Sequence, residues 1–310
     1  MSSTLISNRP GLAVSLKVAA VGLFTLMAAM IKATSELVPP GEAVFFRSAF
    51  AIPVILVWLA IRGELRAGLV AQNPGMHVRR GLIGTSAMGL TFFGLGILPL
   101  PEVTAIGYAA PIFTLVLAAF ILGERIRIIR ISAVALGIVG VLIMLWPRLG
   151  GDLSDRATLG ALAILAATLL RALVQIQVRQ MVRTEQTSAI VFYFSLTASC
   201  LALCTLPFGW VVPPVWAVIL LIGAGLMGGI AQILVTSSYR FGQASMLAPY
   251  DYASMVFAIA IGYFWFAEWP TLVMFAGALL VIAGNVLVIW RERQLGLDRS
   301  KVRSVSDPKS

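Results

Sequence analysis

The stretch Leu82-Ile83-Gly84, followed by Met88-Gly89, recurs later in the chain as Leu221-Ile222-Gly223, followed by Met227-Gly228. A second block recurs with its features in the same order: Tyr108, Phe120, Glu124 and Gly140 are answered by Tyr252, Phe264, Glu268 and Gly284. Both blocks lie in apolar segments of membrane-spanning length. The chain is therefore an internal duplication. An odd number of spans per half would invert one half relative to the other, an arrangement typical of secondary transporters.

The composition is that of an integral membrane protein. Of the 310 residues, 59% are hydrophobic, and the mean hydropathy is +0.95. A soluble domain with a polar surface does not reach these values. At about 25 to 30 residues for each span with its loop, the length accommodates about ten helices and leaves no sizeable soluble domain.

Apolar runs separated by charged residues, proline or glycine number five in each half. They cover about 12–31, 42–61, 81–98, 103–122 and 131–147, then about 158–178, 188–206, 215–236, 246–266 and 271–290. The predicted fold is all-α and integral to the membrane, with ten transmembrane helices as two inverted five-helix repeats. The predicted divisions are an N-terminal segment 1–11, a first repeat 12–147, a second repeat 158–290 and a basic tail 291–310.

Basic residues predict the orientation of the chain. With a cytoplasmic N-terminus, the cytoplasmic segments hold 17 of the 23 lysines and arginines, a strong positive-inside signal. These are Arg9, Arg62, Arg66, Arg79, Arg80, Arg125, Arg127, Arg130, Arg179, Arg183, Arg240, Arg291, Arg293, Arg299, Lys301, Arg303 and Lys309. Both termini are predicted to be cytoplasmic in a multi-pass protein of a bacterial inner membrane. This topology explains the net charge of +10 without a nucleic acid partner, because no polar domain offers a basic face.

Cysteine and histidine usage argues against a metal site. Cys200 and Cys204 lie one helical turn apart in an apolar run and are interpreted as packing residues. The only histidine, His77, stands in a polar stretch and is interpreted as a solvated surface residue. No metal, no cofactor and no ATP-binding Gly-x-x-x-x-Gly-Lys loop are expected. The expected partners are a small-molecule substrate and the lipid bilayer, with a homodimer left open.

Polar side chains within apolar runs are the candidates for a substrate site, because such residues are costly in hydrocarbon. Asp251 follows Pro249 and stands between Tyr250 and Tyr252. The proline loosens the helix, and the tyrosines supply aromatic faces and hydroxyls. Asp251 either binds substrate or a proton, or forms a structural ion pair with Arg240 or another basic loop residue.

Five further candidates complete the predicted substrate site. Arg171 and Gln175 share a helix face and offer donors to an anionic or carbonyl-rich ligand, unless Arg171 snorkels to the surface. Arg47 either lines a cavity or reaches the outer surface. Asn285 is a central amide of the kind that bonds between helices. Tyr108 is one of several aromatic residues that would form a planar-ligand site if they converged: Tyr108, Phe92, Phe93, Tyr193, Tyr252 and Trp265.

Two symmetric features indicate scaffold rather than chemistry. Glu124 and Glu268 end matching spans and are expected to pair with loop arginines. Small residues recur in the third and eighth spans and should let helices approach closely. They are Gly84, Gly89, Gly94 and Gly96, matched by Gly223, Gly225, Gly228 and Gly229.

Several stretches resemble the drug/metabolite transporter superfamily in its ten-helix EamA-type branch, over about residues 12–290. They are Glu42-Ala43-Val44-Phe45-Phe46-Arg47, Arg80-Gly81-Leu82, Ala109-Ala110-Pro111-Ile112-Phe113, Leu122-Gly123-Glu124, Ala248-Pro249-Tyr250-Asp251-Tyr252 and Phe266-Ala267-Glu268. The resemblance implies a secondary, non-ATP transporter that works by alternating access. Within the branch, the chain looks most like carriers of riboflavin or of S-adenosylmethionine.

Among these substrates, riboflavin uptake is preferred, because one carboxylate amid many aromatics is thin support for a cation-selective site. S-adenosylmethionine uptake and the export of amino acids or metabolites are alternatives. A membrane-embedded enzyme is a remote alternative, since no base stands beside a nucleophile. A channel is a second rival class.

Overall fold

A computed structural model of the protein describes residues 10–122, 128–149, 155–181, 184–241 and 247–287, and within them the chain forms helices and turns but no strand. The helices are α1 (Pro10–Thr34), α2 (Pro40–Ala49), α3 (Ala51–Ile61), α4 (Leu65–Gly68), α5 (Pro74–Leu95), α6 (Leu100–Gly107), α7 (Ala110–Leu122), α8 (Ile128–Leu149), α9 (Arg156–Met181), α10 (Thr187–Leu203), α11 (Val215–Phe241), α12 (Ala253–Phe266) and α13 (Leu272–Leu287). The basic tail 291–310, residues 1–9 and Glu124 lie outside the described residues.

Each predicted span contains at least one of these helices. The second span is α2 followed by α3, the fourth is α6 followed by α7, and the ninth is a short 3₁₀ turn followed by α12. Four segments of the described chain are individually long and apolar enough to cross a membrane: Gly11–Thr34, Pro40–Ile61, Arg156–Val178 and Val215–Ser238. The all-α prediction is confirmed.

Helices from the two repeats run antiparallel where they pack together. Met30 of α1 lies beside Gly223 of α11, and Met27 lies beside Gly228. Residue numbers therefore increase along α1 in the direction in which they decrease along α11. The pairs α5 with α9, α2 with α10, α6 with α12 and α8 with α13 show the same reversal. Five spans per repeat and these antiparallel pairings make the second repeat an inverted copy of the first.

Glycines lie where helices of the two repeats pack closely. A Cβ at Gly84 of α5 would lie 2.8 Å from the ring of Phe194 on α10. A Cβ at Gly225 of α11 would lie 2.8 Å from the carbonyl oxygen of Phe46 on α2. Because no side chain fits in either gap, α5 packs directly against the Phe194 ring and α11 directly against the backbone of α2. Gly89 differs, since nothing lies within 4 Å of its Cβ position.

Prolines break the second and fourth spans, and a 3₁₀ turn opens the ninth. Pro111 has no N–H to offer the carbonyl of Gly107 four residues earlier, and α6 ends at Gly107. Pro53 stands in the same relation to Ala49, where α2 ends. In the second repeat, the 3₁₀ turn Ala248–Tyr252 precedes α12. The irregular backbone of the fourth and ninth spans therefore falls at matching places in the two repeats.

One end of the bundle is joined by a lysine and a glutamate. Lys32 donates hydrogen bonds to the carbonyls of Leu95 (3.2 Å) and Leu98 (2.6 Å), and its Nζ lies 2.9 Å from Oε1 of Glu268. Glu268 also accepts the backbone N–H of Leu100 at 2.8 Å. We call this group the Lys32 end. The expectation that Glu268 pairs with a loop arginine is wrong, because its partner is the lysine at the end of α1.

At the opposite end, Glu185 joins the connection after α9 to the start of α5; we call this the Glu185 end. Its carboxylate accepts the backbone N–H groups of Gln72 (3.0 Å) and Asn73 (2.6 Å), and lies 3.2 Å from Nε2 of His77. Burial on its own would raise the pKa of Glu185, but these donors together hold the pKa below its usual range. The interpretation of His77 as solvated is wrong: α5 includes His77, which is 2% exposed.

Candidate substrate-binding site

The irregular segments of the fourth and ninth spans meet in the buried core. The rings of Tyr108 and Tyr252 lie 5.1 Å apart in an edge-to-face arrangement. Tyr108 Oη donates to the carbonyl of Tyr252 at 3.2 Å and lies 2.7 Å from Oγ of Ser254. Nδ2 of Asn285 donates to the carbonyl of Tyr108 at 3.0 Å. Side chains thus satisfy carbonyls next to the irregular backbone, which is what permits such backbone at membrane depth.

Asp251 lies next to this tyrosine pair and is bound to a lysine. Its Oδ1 is 2.7 Å from Nζ of Lys17 on α1. The Lys17 side chain is only 4% exposed, whereas that of Asp251 is 51% exposed. Tyr250, on the other side of Asp251, is also exposed. The carboxylate is therefore partly neutralised but remains accessible to a ligand.

Arg171 is directed at the neighbouring helices rather than along α9 to its end. Its Nη2 donates to Oγ1 of Thr91 on α5 at 3.2 Å, and a Cβ at Gly107 of α6 would lie 3.6 Å from its Nη1. One turn further along α9, Oε1 of Gln175 accepts a hydrogen bond from Thr114 at 3.0 Å. Both side chains keep accessible surface while touching other helices, so they line a gap between α9 and α5 to α7.

The repeats differ in charge at one matched position. Asp251 of the second repeat corresponds to Gly107 of the first. The carboxylate of Asp251 faces Lys17, whereas the glycine is approached by the guanidinium of Arg171. The tyrosine pair therefore has an accessible carboxylate on one side and an accessible guanidinium on the other.

Arg47 belongs to a different cluster. Its guanidinium carbon lies 5.7 Å from the ring centroid of Phe194 on α10, and that of Arg80 lies 4.0 Å from the same ring. Arg80, predicted to lie in a cytoplasmic loop, belongs to α5 and has its side chain against α10. Nothing in the local sequence distinguishes an arginine at a span boundary that points inward from one that points to water.

Of the other predicted aromatic residues, Phe92 lies in the same buried core as Tyr108. Tyr193 packs against His77 at 4.9 Å, and Trp265 stacks on Phe266 at 5.7 Å. Among the described residues, the predicted aromatic side chains in ring-to-ring contact with one another are those of Tyr108 and Tyr252. The two cysteines are exposed rather than packed. Within the described part of the chain, no group of three His, Cys, Asp or Glu side chains is placed to hold a metal.

Two cavities open near the ends of the bundle, and neither is lined by Asp251, Arg171, Arg47 or the tyrosine pair. One of about 420 Å³ lies near the Glu185 end, lined by Trp58, Glu64, Ala67, Glu185, Gln186, Thr187, Ser188 and Thr236. Another of about 250 Å³ lies near the Lys32 end, and Ile31, Ser35, Val38, Pro40, Ala43, Phe92, Phe93, Gly96, Ile97, Arg156 and Leu159 line it. The larger space is thus on the side away from the Lys32–Glu268 pair.

Inverted helical repeats with irregular backbone meeting at their interface define a class, the multi-pass membrane transporters. The chain belongs to the EamA-like transporter family, whose model matches residues 11–146 and again residues 158–290. The double match confirms the integral membrane fold built from two repeats. It also confirms the resemblance to the EamA-type branch.

Known proteins similar to this chain carry three transport functions in their names. An S-adenosylmethionine uptake transporter of Rickettsia prowazekii is 28% identical over 253 residues, covering 82% of this chain and 84% of the relative. A pseudopaline exporter of Pseudomonas aeruginosa is 28% identical over 276 residues, with 88% and 94% covered. A riboflavin transporter of Vibrio cholerae is 25% identical over 267 residues, with 84% and 87% covered.

One solved structure, described as "Crystal structure of protein", is similar in fold. It superposes with a TM-score of 0.63 at 22% sequence identity, over 91% of this chain and 98% of that chain. The likeness extends over nearly the whole of both chains. At this level of identity it supports the fold alone.

Proposed function

We propose that this chain is a secondary transporter that carries a charged, ring-bearing metabolite, with S-adenosylmethionine as the first candidate, across a bacterial inner membrane. Each repeat, 12–147 and 158–290, is one of two units that rock about the centre, and both termini are cytoplasmic. The observation that carries the proposal is the meeting of two matched irregular segments at Tyr108 and Tyr252. In transporters with inverted repeats, substrate sites lie at such discontinuities.

The charges beside the tyrosines favour S-adenosylmethionine over riboflavin. Asp251 offers an accessible carboxylate to a cationic sulfonium or ammonium group, and the tyrosine rings offer contact to a purine. Riboflavin has no such charge to use. The sequence favoured riboflavin because of the number of aromatic residues; of these, Tyr193 and Trp265 pack away from the tyrosine pair. Relatives that transport S-adenosylmethionine also match at higher identity than those that transport riboflavin.

Riboflavin is the second candidate, because a neutral flavin would suit the tyrosine pair and the neighbouring amide of Asn285. The relatives include one named for uptake and one named for export, so the proposal names the solute and leaves the direction to be measured. Asp251 is also the residue that would carry a coupled proton.

Counterflow in proteoliposomes tests the solute without assuming a direction. Vesicles preloaded with unlabelled S-adenosylmethionine are diluted into labelled S-adenosylmethionine, and accumulation of label is followed, with protein-free vesicles as the control. A matched series uses riboflavin on both sides of the membrane. The proposal expects a saturable overshoot with S-adenosylmethionine. An overshoot with riboflavin alone would transfer the assignment to the second candidate, and linear, non-saturable flux would indicate a channel.

A further inference from the structure

Two arginines from different helices share one aromatic ring in the interior. Arg47 of α2 and Arg80 of α5 lie 5.7 Å and 4.0 Å from the ring centroid of Phe194 on α10. A Cβ at Gly84 would strike this ring, and a Cβ at Gly228 of α11 would lie 3.5 Å from Nε of Arg47. The cluster is thus enclosed by helices of both repeats.

These guanidinium groups have donors without acceptors. Nε of Arg47, and Nε and Nη1 of Arg80, are buried without a hydrogen-bond partner among the described residues. Arg47 as a whole is 9% exposed. The ion pairs found in the described part of the chain involve neither arginine. Because arginine stays protonated, the pair keeps both charges and leaves N–H groups unsatisfied, each of which is costly when buried.

An oxyanion would satisfy both requirements. A carboxylate has two oxygens that accept from guanidinium forks, and one carboxylate between two arginines relieves their mutual repulsion. Water would satisfy the donors but leave the two positive charges. The ring of Phe194, which both guanidinium groups approach, adds a cation–π contact to each of them.

The cluster also lies where the two repeats meet. Phe45-Phe46-Arg47-Ser48 of the first repeat matches Phe192-Tyr193-Phe194-Ser195 of the second in order, and in type at every position except the third. The third residues of the two stretches, Arg47 and Phe194, are in contact. Two matched residues that touch one another lie on the axis that relates the repeats. A ligand on this axis is placed to be exposed to either side when the units rock.

We propose that Arg47 and Arg80 bind a carboxylate of the transported metabolite, with Phe194 as the floor of the subsite. This rests on the proposed function, since it assigns a further group of the same solute. The contacts of α1 relate the two regions: Lys17 binds Asp251, and Met27, ten residues further, adjoins Gly228 beside Arg47. Ten residues span about 15 Å of helix. A solute that reaches both Asp251 and the arginine pair must therefore be extended.

Binding of two ligands that differ only in the carboxylate tests the subsite. Labelled S-adenosylmethionine and its decarboxylated form are titrated onto purified wild type, Arg47→Gln and Arg80→Gln. Arg79→Gln is the control, because Arg79 is adjacent to Arg80 in the sequence but has an exposed side chain. Wild type and Arg79→Gln should prefer the carboxylate on the order of tenfold or more, the value of a charge-assisted hydrogen bond. Each glutamine variant at position 47 or 80 should lose that preference while binding the decarboxylated ligand unchanged.

A second measurement separates this subsite from the choice of solute. The melting temperature of the ligand-free protein is measured with increasing sodium acetate, at constant ionic strength, for wild type and the Arg47→Gln/Arg80→Gln double variant. Acetate should stabilise wild type more than the double variant. If S-adenosylmethionine does not bind but acetate discriminates, the solute is wrong and the anion subsite stands. Equal acetate effects, or equal wild-type affinity for the two labelled ligands, would overturn the subsite. Arg47→Lys, which keeps the charge but not the fork, replaces Arg47→Gln if that variant does not purify.

Discussion

Lys17 and Asp251 are joined by an ion pair whose two sides differ in exposure. Lys17 is buried, whereas half of the Asp251 side chain is accessible. The lysine is thus held in place by a carboxylate that a ligand can still reach. If the solute is cationic, as proposed above, this asymmetry would let it compete with Lys17 for Asp251.

Replacing Asp251 separates a structural role from a transport role. Asp251→Asn should abolish counterflow and cost about 1 to 3 kcal/mol of stability, less than for a fully buried pair because Asp251 is half exposed. The double variant Lys17→Met/Asp251→Asn should regain stability without regaining transport. Melting temperature and counterflow are measured on the same preparations. Transport restored in the double variant would make the pair purely structural.

Arg171 is expected to line the pathway. In a background with Cys200→Ser and Cys204→Ser, Arg171→Cys should react with a polar thiol reagent and be protected by substrate, because its side chain has accessible surface inside the bundle. Leu169→Cys is the control, since Leu169 is exposed on another face of the same helix. Labelling of position 171 that no ligand alters would count against a pathway role.

Glu185 should make the stability of the Glu185 end depend on pH. Its pKa is lower in the folded protein than its usual value, so its contribution is complete above about pH 5 and is lost as the pH falls through the folded pKa, below about 4.3. Glu185→Gln should therefore melt at a lower temperature than wild type at pH 7, with the difference shrinking toward pH 3. Glu64→Gln is the control, because its pairing with Arg62 is exposed and weak. A difference that persists unchanged at pH 3 would refute the assignment.

Among the elements, the irregular start of the ninth span was predictable from sequence. Pro249 marked irregular backbone beside Asp251, because proline removes a helix hydrogen bond wherever it stands. The break before Pro111 follows the same rule but was not predicted. That the two breaks touch through Tyr108 and Tyr252 did not follow, since it depends on packing between spans 144 residues apart. The local sequence determines where a helix is interrupted, whereas the tertiary fold determines which residues pack against the interruption.

The crossing of α8 and α13 tests how closely helices must approach. A Cβ at Gly277 would lie 2.5 Å from the carbonyl oxygen of Gly140 and would strike Met144. Gly277→Ala should therefore destabilise the protein by about 1 to 3 kcal/mol. Gly89→Ala is the matched control, with open space at its Cβ, and should be neutral or stabilising by up to about 1 kcal/mol. Thermal unfolding in detergent measures both, and equal melting temperatures would show that the crossing can relax.

For the whole molecule, alternating access requires one end to open while the other closes. The Lys32 end holds α1, α5 and α6 through Lys32 and Glu268, whereas the larger cavity adjoins the Glu185 end. We expect transport to require separation at the Lys32 end, which the basic-residue distribution predicts to be the outer one.

A reversible cross-link tests that requirement. The Cβ of Ser35 lies 3.1 Å from the Cβ position of Gly96, slightly closer than the roughly 3.5 to 4.5 Å of a disulfide. Ser35→Cys/Gly96→Cys, made without Cys200 and Cys204, should lose counterflow on oxidation and recover it on reduction. Each single variant controls for the substitution itself. Full-rate transport by the completely oxidised protein would show that this end need not open.

At this scale the sequence predicted more of the architecture than of the contacts. Apolar length and repeated order were enough for ten spans and two repeats, because hydrocarbon thickness and backbone satisfaction leave few alternatives. The partners of charged residues were predicted poorly: Glu268 meets Lys32, His77 is buried beside Glu185, and Arg80 turns inward. Each of these depends on a helix distant in sequence.

The contact between Arg47 and Phe194 carries a consequence for the ancestry of the chain. Were the two halves separate copies of one gene product, the same residue would stand at both places, and two arginines or two phenylalanines would face each other across the axis. Fusing the copies into a single polypeptide let one position keep its charge while the other became its aromatic support. A mixed pair on a symmetry axis is a chemistry that only diverged halves can encode.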